Sequence, residues 1–409
     1  MALHGTTLTA AGADRVRAGH PQVPLSDLAP GPALDPGRPV RLFSTVGEPL
    51  AAGVADPENE LLRIWADADA LTDTRAFDAA FFRARVSQAL ALRQTLGLAD
   101  GVSAYRLING EGDGLSGLSA DIYGPYVVAT ALSRGLTGHA RSLADAALAV
   151  FADAGLPLLG GVIKARLKAQ AAGPERAERA KDQIIGQTPP EKLIVRENDV
   201  PYEVHLRGGI NVGLFSDMRQ HRAGLHRFVR GRRVLNTFAY TGALSLAAAR
   251  AGAASVVSVD LAAGPLRWAR ENFRLSAIDP EGPAFRWEST DVFRFLDGEA
   301  GRDGRYDVII LDPPTVSGAG PSSWAAKRDY PELIAAACAL LPDAGGHLWV
   351  SANNHRGTSV LKHIDAGLAL AKRRGAILEL GGLPPDFPTP TNWPAARYLE
   401  VCQLRVGER

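Results

Sequence analysis

The chain has 409 residues and carries 45 lysines and arginines against 44 aspartates and glutamates, so its net charge is +1. This length predicts two or three domains. The two cysteines, Cys338 and Cys402, form neither a metal-binding spacing nor a disulfide framework, and no run of about twenty apolar residues is present to cross a membrane. Residues 1–14 lack the basic start and long apolar core of a signal peptide, so we expect a cytoplasmic protein with no membrane contact and no bound metal.

The N-terminal region is rich in proline and glycine and contains short β-type runs, such as Pro39–Phe43 and Leu61–Ile64. Short strands between turn residues predict a small β domain over residues 1–75. The next segment, Phe77–Leu96, predicts an amphipathic helix, because apolar residues recur at helical spacing. The residues expected on its buried face are Phe81, Val86, Ala89 and Leu92.

A glycine-rich turn, Gly112–Gly117, formally matches the G-x-G-x-x-G pattern of dinucleotide-binding proteins. That motif requires a helix directly after it, whereas a β-type run follows here. We therefore interpret the turn as a hairpin connection, with strands predicted over Tyr105–Asn109 and Tyr126–Leu132. Further along, Arg141–Ala154 predicts a helix, and the polar, proline-bounded stretch Leu167–Pro190 predicts a linker or a flap that faces RNA.

The chain carries a basic belt over residues 161–234, where fifteen lysines and arginines stand against eight aspartates and glutamates. Within this belt, Leu193–Leu206 predicts two short strands. A basic surface beside a catalytic core is typical of proteins that bind a nucleic-acid backbone. The alternative is a solvated surface on which charges cluster by chance. The arginines expected to contact RNA are Arg219 (which could instead orient Asp217), Arg230, Arg232, Arg233 and, further along, Arg356.

The stretch Val234–Ala262 predicts a β-α-β unit, with a helix over Ala243–Ala251 and a second strand, Ser255–Val259, that ends on Asp260. A carboxylate in that place can accept hydrogen bonds from both hydroxyls of a ribose. The intervening turn, Asn236–Gly242, lacks the G-x-G-x-x-G pattern, so a pyrophosphate is not indicated. A nucleoside without phosphates fits better, and S-adenosylmethionine is the common one.

A further apolar strand ends at Asp312-Pro313-Pro314, because proline cannot continue a central strand. Ligands of open α/β sheets bind at the carboxyl ends of strands, which places Asp312 where it can contact a substrate. Asp291, upstream, is a candidate contact to the edge of an adenine. Strands and helices alternate to the end of the chain, which predicts a doubly wound sheet. The expected helices are Ala263–Leu275, Tyr330–Leu341 and Val360–Arg374, the expected strands are Gly346–Ser351, Ala376–Leu380 and Tyr398–Arg405, and Asp297–Gly304 is expected to be a polar loop.

Several of these segments resemble a bacterial family of class I S-adenosylmethionine-dependent methyltransferases that modify 23S ribosomal RNA. The resemblance rests on the turn Asn236–Gly242, on Asp260, Asp291 and Asp312–Thr315, on Gly213–Arg219, which is similar to the family's G-x-[FY]-x-D-x-R motif, and on Tyr105–Asp121, which is similar to its middle domain. It implies an α/β fold: a small PUA-like β-barrel over residues 1–75, an α+β middle domain with a basic linker over 76–206, and a Rossmann-like methyltransferase core with a mostly parallel doubly wound sheet over 207–409.

The resemblance also implies S-adenosylmethionine as the cofactor and large-subunit ribosomal RNA, free or partly assembled, as the partner. We further expect that the protein can form a homodimer. The residues expected to contact the cofactor are Asp217, Asn236, Phe238, Tyr240, Thr241, Gly242, Asp260, Leu261, Asp291, Asp312 and Pro313.

The family has a cytosine-C5 branch and a guanine-N7 branch, and the two acceptors need different chemistry. Cytosine C5 becomes nucleophilic only after a cysteine thiolate attacks C6. No cysteine follows Asp312-Pro-Pro or the strand Leu348–Ser351, and both cysteines of the chain lie in segments typical of buried positions. Guanine N7 already carries a lone pair, so it needs only orientation and a field that tolerates the new positive charge.

The segment Ser351–Gly357 resembles the S-N-N-x-R-G segment of the guanine-N7 branch. Asn353 and Asn354 can donate and accept along a base edge, and Asp312 can accept from guanine N1 and N2 or stabilise the forming cation. These three residues are the predicted catalytic residues. Other interpretations stay open: an ordinary turn at the asparagines, methylation of cytosine C5 or of an exocyclic amine (although Thr315 replaces the aromatic residue usual in the latter), methylation of a small molecule, or an RNA-binding protein with an inactive core.

Overall fold

The computed structural model describes residues 4–31, 33–68, 77–98, 103–166, 182–209, 211–300, 306–317, 324–353 and 359–407. The chain divides into two compact units. The first comprises Met1–Asp199, Val204–Val212 and Pro385–Ala396, and the second comprises Val200–Glu203, Gly213–Pro384 and Arg397–Arg409. No helix in the described ranges has the length and apolar character needed to cross a membrane.

The N-terminal part of the first unit is a five-stranded sheet with one short helix. The strands follow the spatial order β1-β3-β4-β5-β2, and their inward residues, such as Val40, Leu42 and Leu62, are fully buried. The sequence predicted the strands but not the helix, whose first turn is capped by the Thr9 side chain, which accepts from the Gly12 N–H at 3.2 Å. The elements are β1 (His4–Thr7), α1 (Ala10–Arg17), β2 (Gln22–Pro24), β3 (Pro39–Phe43), β4 (Pro49–Asp56) and β5 (Leu61–Asp67).

A second five-stranded sheet follows in the same unit, in the order β10-β9-β8-β7-β6. Its pairs are antiparallel except β8 and β9, which run parallel because helix α3 connects them as a crossover. The turn at Gly110–Asp113 joins two antiparallel strands, so the hairpin interpretation of the glycine-rich motif is confirmed. The elements are α2 (Ala79–Thr95), β6 (Ala104–Asn109), β7 (Leu118–Tyr123), β8 (Tyr126–Ala131), α3 (Thr137–Asp153), β9 (Gly160–Ala165) and β10 (Gln183–Gly186).

Two expectations for this region were wrong. Leu92 of α2 is 39% exposed, whereas Phe82 and Leu90 are buried. Val86 and Ala89 are buried as predicted and Phe81 is partly buried, so the prediction was wrong only at Leu92, and Leu90 occupies the buried position instead. The predicted linker Leu167–Pro190 contains the edge strand β10, which pairs with β9; residues 167–181 lie outside the described ranges.

The excursion Pro385–Ala396 leaves the second unit and belongs to the first. Asp386 is fully buried, and its carboxylate accepts from the Arg106 N–H at 3.0 Å. The Asp386 carbonyl accepts from Arg93 at 2.8 Å, and the Pro388 carbonyl accepts from Asn109 at 2.9 Å. The predicted boundary at residue 207 therefore does not describe the chain near its C-terminus, which returns to the first unit before its last strand. Between the units along the chain lies a two-stranded ribbon of β11 (Leu193–Glu197) and β12 (Val200–Val204).

The second unit is built on a seven-stranded sheet in the order β15-β14-β13-β16-β19-β21-β20. Strands β13 to β16 and β19 are parallel, and β21 runs antiparallel to both of its neighbours. The mostly parallel doubly wound sheet is confirmed. Its strands are β13 (Arg233–Thr237), β14 (Ser255–Asp260), β15 (Phe285–Ser289), β16 (Val308–Leu311), β19 (Gly346–Asn353), β20 (Gly375–Gly381) and β21 (Leu399–Val406), and a separate ribbon is formed by β17 (Val316–Ser317) and β18 (Trp324–Ala325).

Helices cover both faces of this sheet, because alternate strand residues point to opposite sides. Ile309 and Val350 belong to one apolar cluster, while Ile310 and Trp349 belong to the other. Helix α8 extends to Ala300, so the loop predicted over Asp297–Gly304 was wrong in its first part: Phe295, Leu296 and Glu299 are buried at helical spacing. The helices are α4 (Arg219–Gly224), α5 (His226–Val229), α6 (Ala243–Arg250), α7 (Ala263–Leu275), α8 (Val292–Ala300), α9 (Ala326–Ala339) and α10 (Val360–Ala371).

The connections of the sheet fix where a ligand can bind. From β13 the chain moves outward through β14 to β15, and it then crosses back to β16 on the other side of β13. This reversal is a topological switch point, and the crevice at the carboxyl ends of the two strands is the usual ligand site of such a sheet.

Candidate active site

The turn between β13 and α6 has an unusual backbone. Phe238, Tyr240 and Gly242 have positive φ angles of 54°, 47° and 73°. Two non-glycine residues in this region cost conformational energy, and such strain is typical of functional turns. A Cβ on Gly242 would lie 2.6 Å from the Cβ of Ala269, so glycine is required there. The centroid of the Phe238 ring lies 5.3 Å from that of the Trp324 ring, and Phe238 is only partly buried.

Asp260 lies at the end of β14, and the turn holds its carboxylate in place. Oδ2 accepts from the Tyr240 N–H at 2.8 Å, and Oδ1 accepts from the Ala262 N–H at 2.9 Å. A carboxylate oxygen has two lone pairs, so each oxygen keeps one for a further donor. The group is partly exposed. It is therefore fixed in orientation and able to accept the two hydroxyls of a ribose.

Two predicted cofactor residues have their side chains inside the protein instead. Asn236 is 1% exposed, and its amide donates to the Ser245 hydroxyl at 2.8 Å. Thr241 is also 1% exposed, and its hydroxyl donates to the Gly213 carbonyl at 2.6 Å. Any contact of these two residues with the cofactor would have to come from the backbone, because one side chain supports the floor of the turn and the other ties the turn to the Gly213–Arg219 motif.

The side of the crevice beyond Asp260 carries the groups expected around an adenine. Leu261 is 66% exposed directly after the carboxylate. Asp291 caps α8, since its Oδ1 accepts from the Arg294 N–H at 3.1 Å. The exposed apolar side chain can cover a face of the base, and Asp291 keeps lone pairs for an amine.

Asp312 lies at the end of β16, beside the end of β19. Its Oδ1 accepts a hydrogen bond from the Ser351 hydroxyl. The Tyr330 hydroxyl, which is fully buried, contacts the carbonyls of both Leu311 (at 3.1 Å) and Ser351. Tyr330 thereby joins the ends of the two strands and fixes the spacing of the Asp312–Ser351 pair. Pro313 is buried next to this pair.

The surroundings of Asp312 shift the pKa of its carboxyl group. Burial raises the pKa of its carboxyl from 3.8 to about 6. The hydrogen bond from Ser351 opposes that shift, the negative charge of Asp217 adds to it, and the positive charge of Arg222 opposes it. Asp217 itself is oriented by the Tyr398 hydroxyl, which donates to its Oδ2 at 2.8 Å. A perturbed carboxyl at a crevice is typical of a functional site.

Asn353 is the last residue of β19 and is exposed. It lies two residues beyond Ser351, and alternate residues of a strand share a face, so it extends the face on which Ser351 meets Asp312. The interpretation of this asparagine as an ordinary turn residue was wrong, because it pairs in the strand with Leu399. Asn354 and Arg356 lie outside the described residues.

Three of the predicted RNA-binding arginines lie away from the crevice. Arg219 is not one of them: it is 4% exposed, which favours the alternative that it orients Asp217 over a contact to phosphate. Arg230 and Arg232 immediately precede β13, and Arg233 begins it, where its Nη2 pairs with Asp307 Oδ1 at 3.1 Å. These positions mark the amino end of the strand, about 13 Å from its carboxyl end at about 3.3 Å per residue. That these arginines contact RNA stays a prediction, and the surface concerned is remote from Asp260 and Asp312.

The chain's two cysteines are buried inside the protein and do not lie at the carboxyl ends of β16 or β19. Cys338 is buried in α9 and Cys402 is buried in β21, where it pairs with Val350. Burial raises the pKa of each thiol to about 11. Neither sulfur is a nucleophile at neutral pH. Among the described residues, no group of three His, Cys, Asp or Glu side chains is arranged to bind a metal.

Sequence reasoning missed the residues that orient the site. Ser351 belongs to a segment whose resemblance was noted and Tyr330 begins a predicted helix, but nothing local indicated their contacts. Tyr398 lies 181 positions from its partner Asp217. Only its place at the start of the last predicted strand could have drawn attention to it.

Comparisons with known proteins agree with this geometry. Residues 173–396 match the S-adenosylmethionine-dependent methyltransferase family model, and residues 7–65 match a PUA-like domain. Ribosomal RNA large subunit methyltransferase I of Tolumonas auensis is 31% identical over 90% of this chain and 91% of its own. YwbD of Bacillus subtilis, which carries the provisional name ribosomal RNA large subunit methyltransferase, is 33% identical over 80% of this chain and 81% of its own.

A crystal structure of the methyltransferase SMU.776 in complex with SAH is 25% identical, covers 98% of this chain and 100% of that chain, and has a TM-score of 0.85. These matches confirm the predicted enzyme class. The oriented Asp260 carboxylate, which can accept the two hydroxyls of a ribose, is consistent with these matches. The chain belongs to the bacterial family of S-adenosylmethionine-dependent methyltransferases that includes the ribosomal RNA large subunit methyltransferases, and S-adenosylmethionine is its cofactor.

Proposed function

We propose that this enzyme methylates large-subunit ribosomal RNA at guanine N7 and forms no covalent bond to the RNA. The names of its relatives support large-subunit ribosomal RNA as the substrate. The choice of the acceptor atom rests on the chemistry of the crevice.

The observation that carries this proposal is the placement of the thiols. Methylation of cytosine C5 requires a thiolate beside the target base. Both cysteines of the chain are buried in the interior, with thiol pKa values raised to about 11. The ends of β16 and β19 instead carry Asp312, Ser351 and Asn353. An acceptor that already holds a lone pair fits this set of side chains.

Guanine N7 is such an acceptor. It carries no proton, so its methylation needs no base, and the product bears a positive charge. S-adenosylmethionine supplies an electrophilic methyl group on its sulfonium. The protein's part is to orient the base and to place negative charge near it. Asp312 supplies that charge above about pH 6, where its carboxyl is ionised, and the Asn353 amide is placed to hydrogen-bond a base edge.

Nucleoside mass spectrometry on 23S ribosomal RNA tests this proposal. RNA would be compared from the parent strain, a strain that lacks the gene, and that strain complemented with either the wild-type gene or an Asp312→Ala variant. We expect one 7-methylguanosine to disappear on deletion, to return with the wild-type gene, and to stay absent with the variant.

An Asp343→Ala variant is a matched control and should restore the modification, because this exposed carboxylate lies between α9 and the start of β19, at the other end of the strand from Ser351. Loss of 5-methylcytidine or of an N-methyladenosine on deletion, with 7-methylguanosine unchanged, would contradict the N7 assignment.

A further inference from the structure

The side chain of Phe215 is exposed although its neighbours in the chain are buried. It is 45% exposed, whereas Leu214, Ser216 and Met218 are between 3% and 5% exposed. An isolated exposed apolar residue is common on protein surfaces. This one is distinguished by its contact with Tyr240, in the turn that follows the carboxyl end of β13.

The backbone holds the ring outward. The Phe215 carbonyl accepts from Arg222 Nη2 at 2.7 Å and from the Met218 N–H at 3.3 Å. Arg222 is itself 6% exposed, so the contact is internal. These hydrogen bonds fix the backbone at Phe215 and therefore the direction of the Cα–Cβ bond from which the exposed ring extends.

The ring contacts the turn between β13 and α6, and its residue is a near neighbour of Asp217 in the chain. Its centroid is 5.6 Å from that of Tyr240, with the planes tilted by 41°. The Tyr240 N–H binds the Asp260 carboxylate, which marks the cofactor side. Asp217 follows two residues after Phe215, and its negative charge raises the pKa of the Asp312 carboxyl. Asp312 marks the side of the crevice that is expected to receive the acceptor base. Phe215 therefore presents an exposed aromatic ring beside the turn that holds Asp260 and two residues from Asp217.

We propose that Phe215 is the stacking surface for the target purine of the RNA, extruded from its own base stack. An enzyme that modifies a base must take it out of the stack, and aromatic side chains replace the lost stacking. The face also favours the product, because a methylated N7 makes the base cationic and an aromatic ring attracts cations. The inference rests on the proposed function, whose substrate contact it specifies.

A pair of substitutions separates the aromatic face from simple bulk. Phe215→Leu keeps an apolar side chain without a π face, and Phe215→Tyr keeps the face. Methyl transfer to 23S ribosomal RNA from the deletion strain would be measured for both, together with binding of S-adenosylhomocysteine by calorimetry. Stacking on an aromatic residue predicts a loss in kcat/KM for RNA on the order of tenfold to a hundredfold for the leucine variant. The tyrosine variant should stay close to wild type, and the affinity for S-adenosylhomocysteine should be unchanged in both.

Leu370→Ala is the matched control, because Leu370 is 59% exposed on α10 and should be replaceable without effect. Wild-type RNA kinetics in the leucine variant would overturn the proposal. So would a parallel loss of affinity for S-adenosylhomocysteine, since Phe215 would then be a cofactor contact. The nucleoside formed by the wild type is identified separately. A product other than 7-methylguanosine would refute the proposed function, whereas the ratio of variant to wild-type rates still tests the stacking contact.

Discussion

Replacement of Asp312 by asparagine should make the protein more stable and less active. The substitution keeps the size of the side chain and an oxygen that can accept from Ser351, but it removes the charge. Turnover should fall on the order of a hundredfold, because a group aimed at developing charge is lost. Stability should rise, because the native protein no longer has to hold a poorly solvated carboxylate.

The size of the stability gain follows from the pKa. Burial raises the pKa of Asp312 from 3.8 to about 6. Each pKa unit corresponds to about 1.4 kcal/mol, so the charged carboxylate costs the native state about 3 kcal/mol at pH 8. The native state binds the proton more tightly than the unfolded chain does. The wild type therefore loses stability as the pH rises from 4 through 6, and the gain from Asp312→Asn should shrink as the pH falls toward 4.

Denaturant unfolding at pH 8 and at pH 4.5, followed by tryptophan fluorescence, measures this gain, because four of the six tryptophans lie in the second unit: Trp268, Trp287, Trp324 and Trp349. Asp217→Asn is an informative comparison, since its negative charge raises the pKa of Asp312; that variant should shift the pH dependence to lower pH without abolishing it. An Asp312→Asn protein with wild-type stability at both pH values would refute the reasoning, and so would a variant that retains full turnover.

Three further predictions concern neighbouring parts of the site. Asp260→Ala should weaken S-adenosylhomocysteine binding by roughly tenfold or more, because charge-assisted hydrogen bonds contribute about 1.5–3 kcal/mol; calorimetry that shows unchanged affinity would remove Asp260 from the cofactor site. Tyr330→Phe should lower kcat and move the acid limb of the pH–rate profile while S-adenosylhomocysteine binding stays the same, because the hydroxyl spaces the ends of β16 and β19; an unmoved profile would assign it a purely structural role. Arg230→Gln with Arg232→Gln should leave kcat unchanged, since both residues lie at the amino end of β13; a drop in kcat at saturating RNA would show that this surface contributes to the reaction.

The ends of the strands were predictable because their signals are local. The end of a strand can be predicted from local composition at Asp312-Pro-Pro, and at Asp260, which is followed by a helix. The sheet order then follows from short connections and the usual handedness of crossovers. These rules place Asp260 and Asp312 in one crevice without knowledge of any long-range contact.

The direction of individual side chains was less predictable. Asn236 and Thr241 belong to the predicted turn, yet both side chains point into the protein, where Ser245 and the Gly213 carbonyl receive them. A turn with two positive φ angles does not follow the alternation of a strand or the period of a helix. Sequence spacing therefore could not show which of its side chains face the ligand.

Contacts between distant parts of the chain gave no signal at all. The Tyr398–Asp217 hydrogen bond and the return of Pro385–Ala396 to the first unit depend on packing of segments far apart in sequence. In the sequence, Asp386 has the character of a loop residue between two strands. In the structure it is fully buried, and its carboxylate accepts from the Arg106 N–H. Such partnerships arise from tertiary structure, which overrides local composition.

The central claim is that methyl transfer occurs at guanine N7 without a thiol. A single reconstitution with the Cys338→Ala, Cys402→Ala double variant tests this. The variant would be incubated with 23S ribosomal RNA from the deletion strain and with S-adenosylmethionine that carries a deuterated methyl group. Mass spectrometry would then identify the labelled nucleoside. We expect labelled 7-methylguanosine at a rate close to that of the wild type. The double variant should lose about 1 kcal/mol or more of stability per site, because packing is removed. Labelled 5-methylcytidine from the wild type, with no product from a folded double variant, would contradict it.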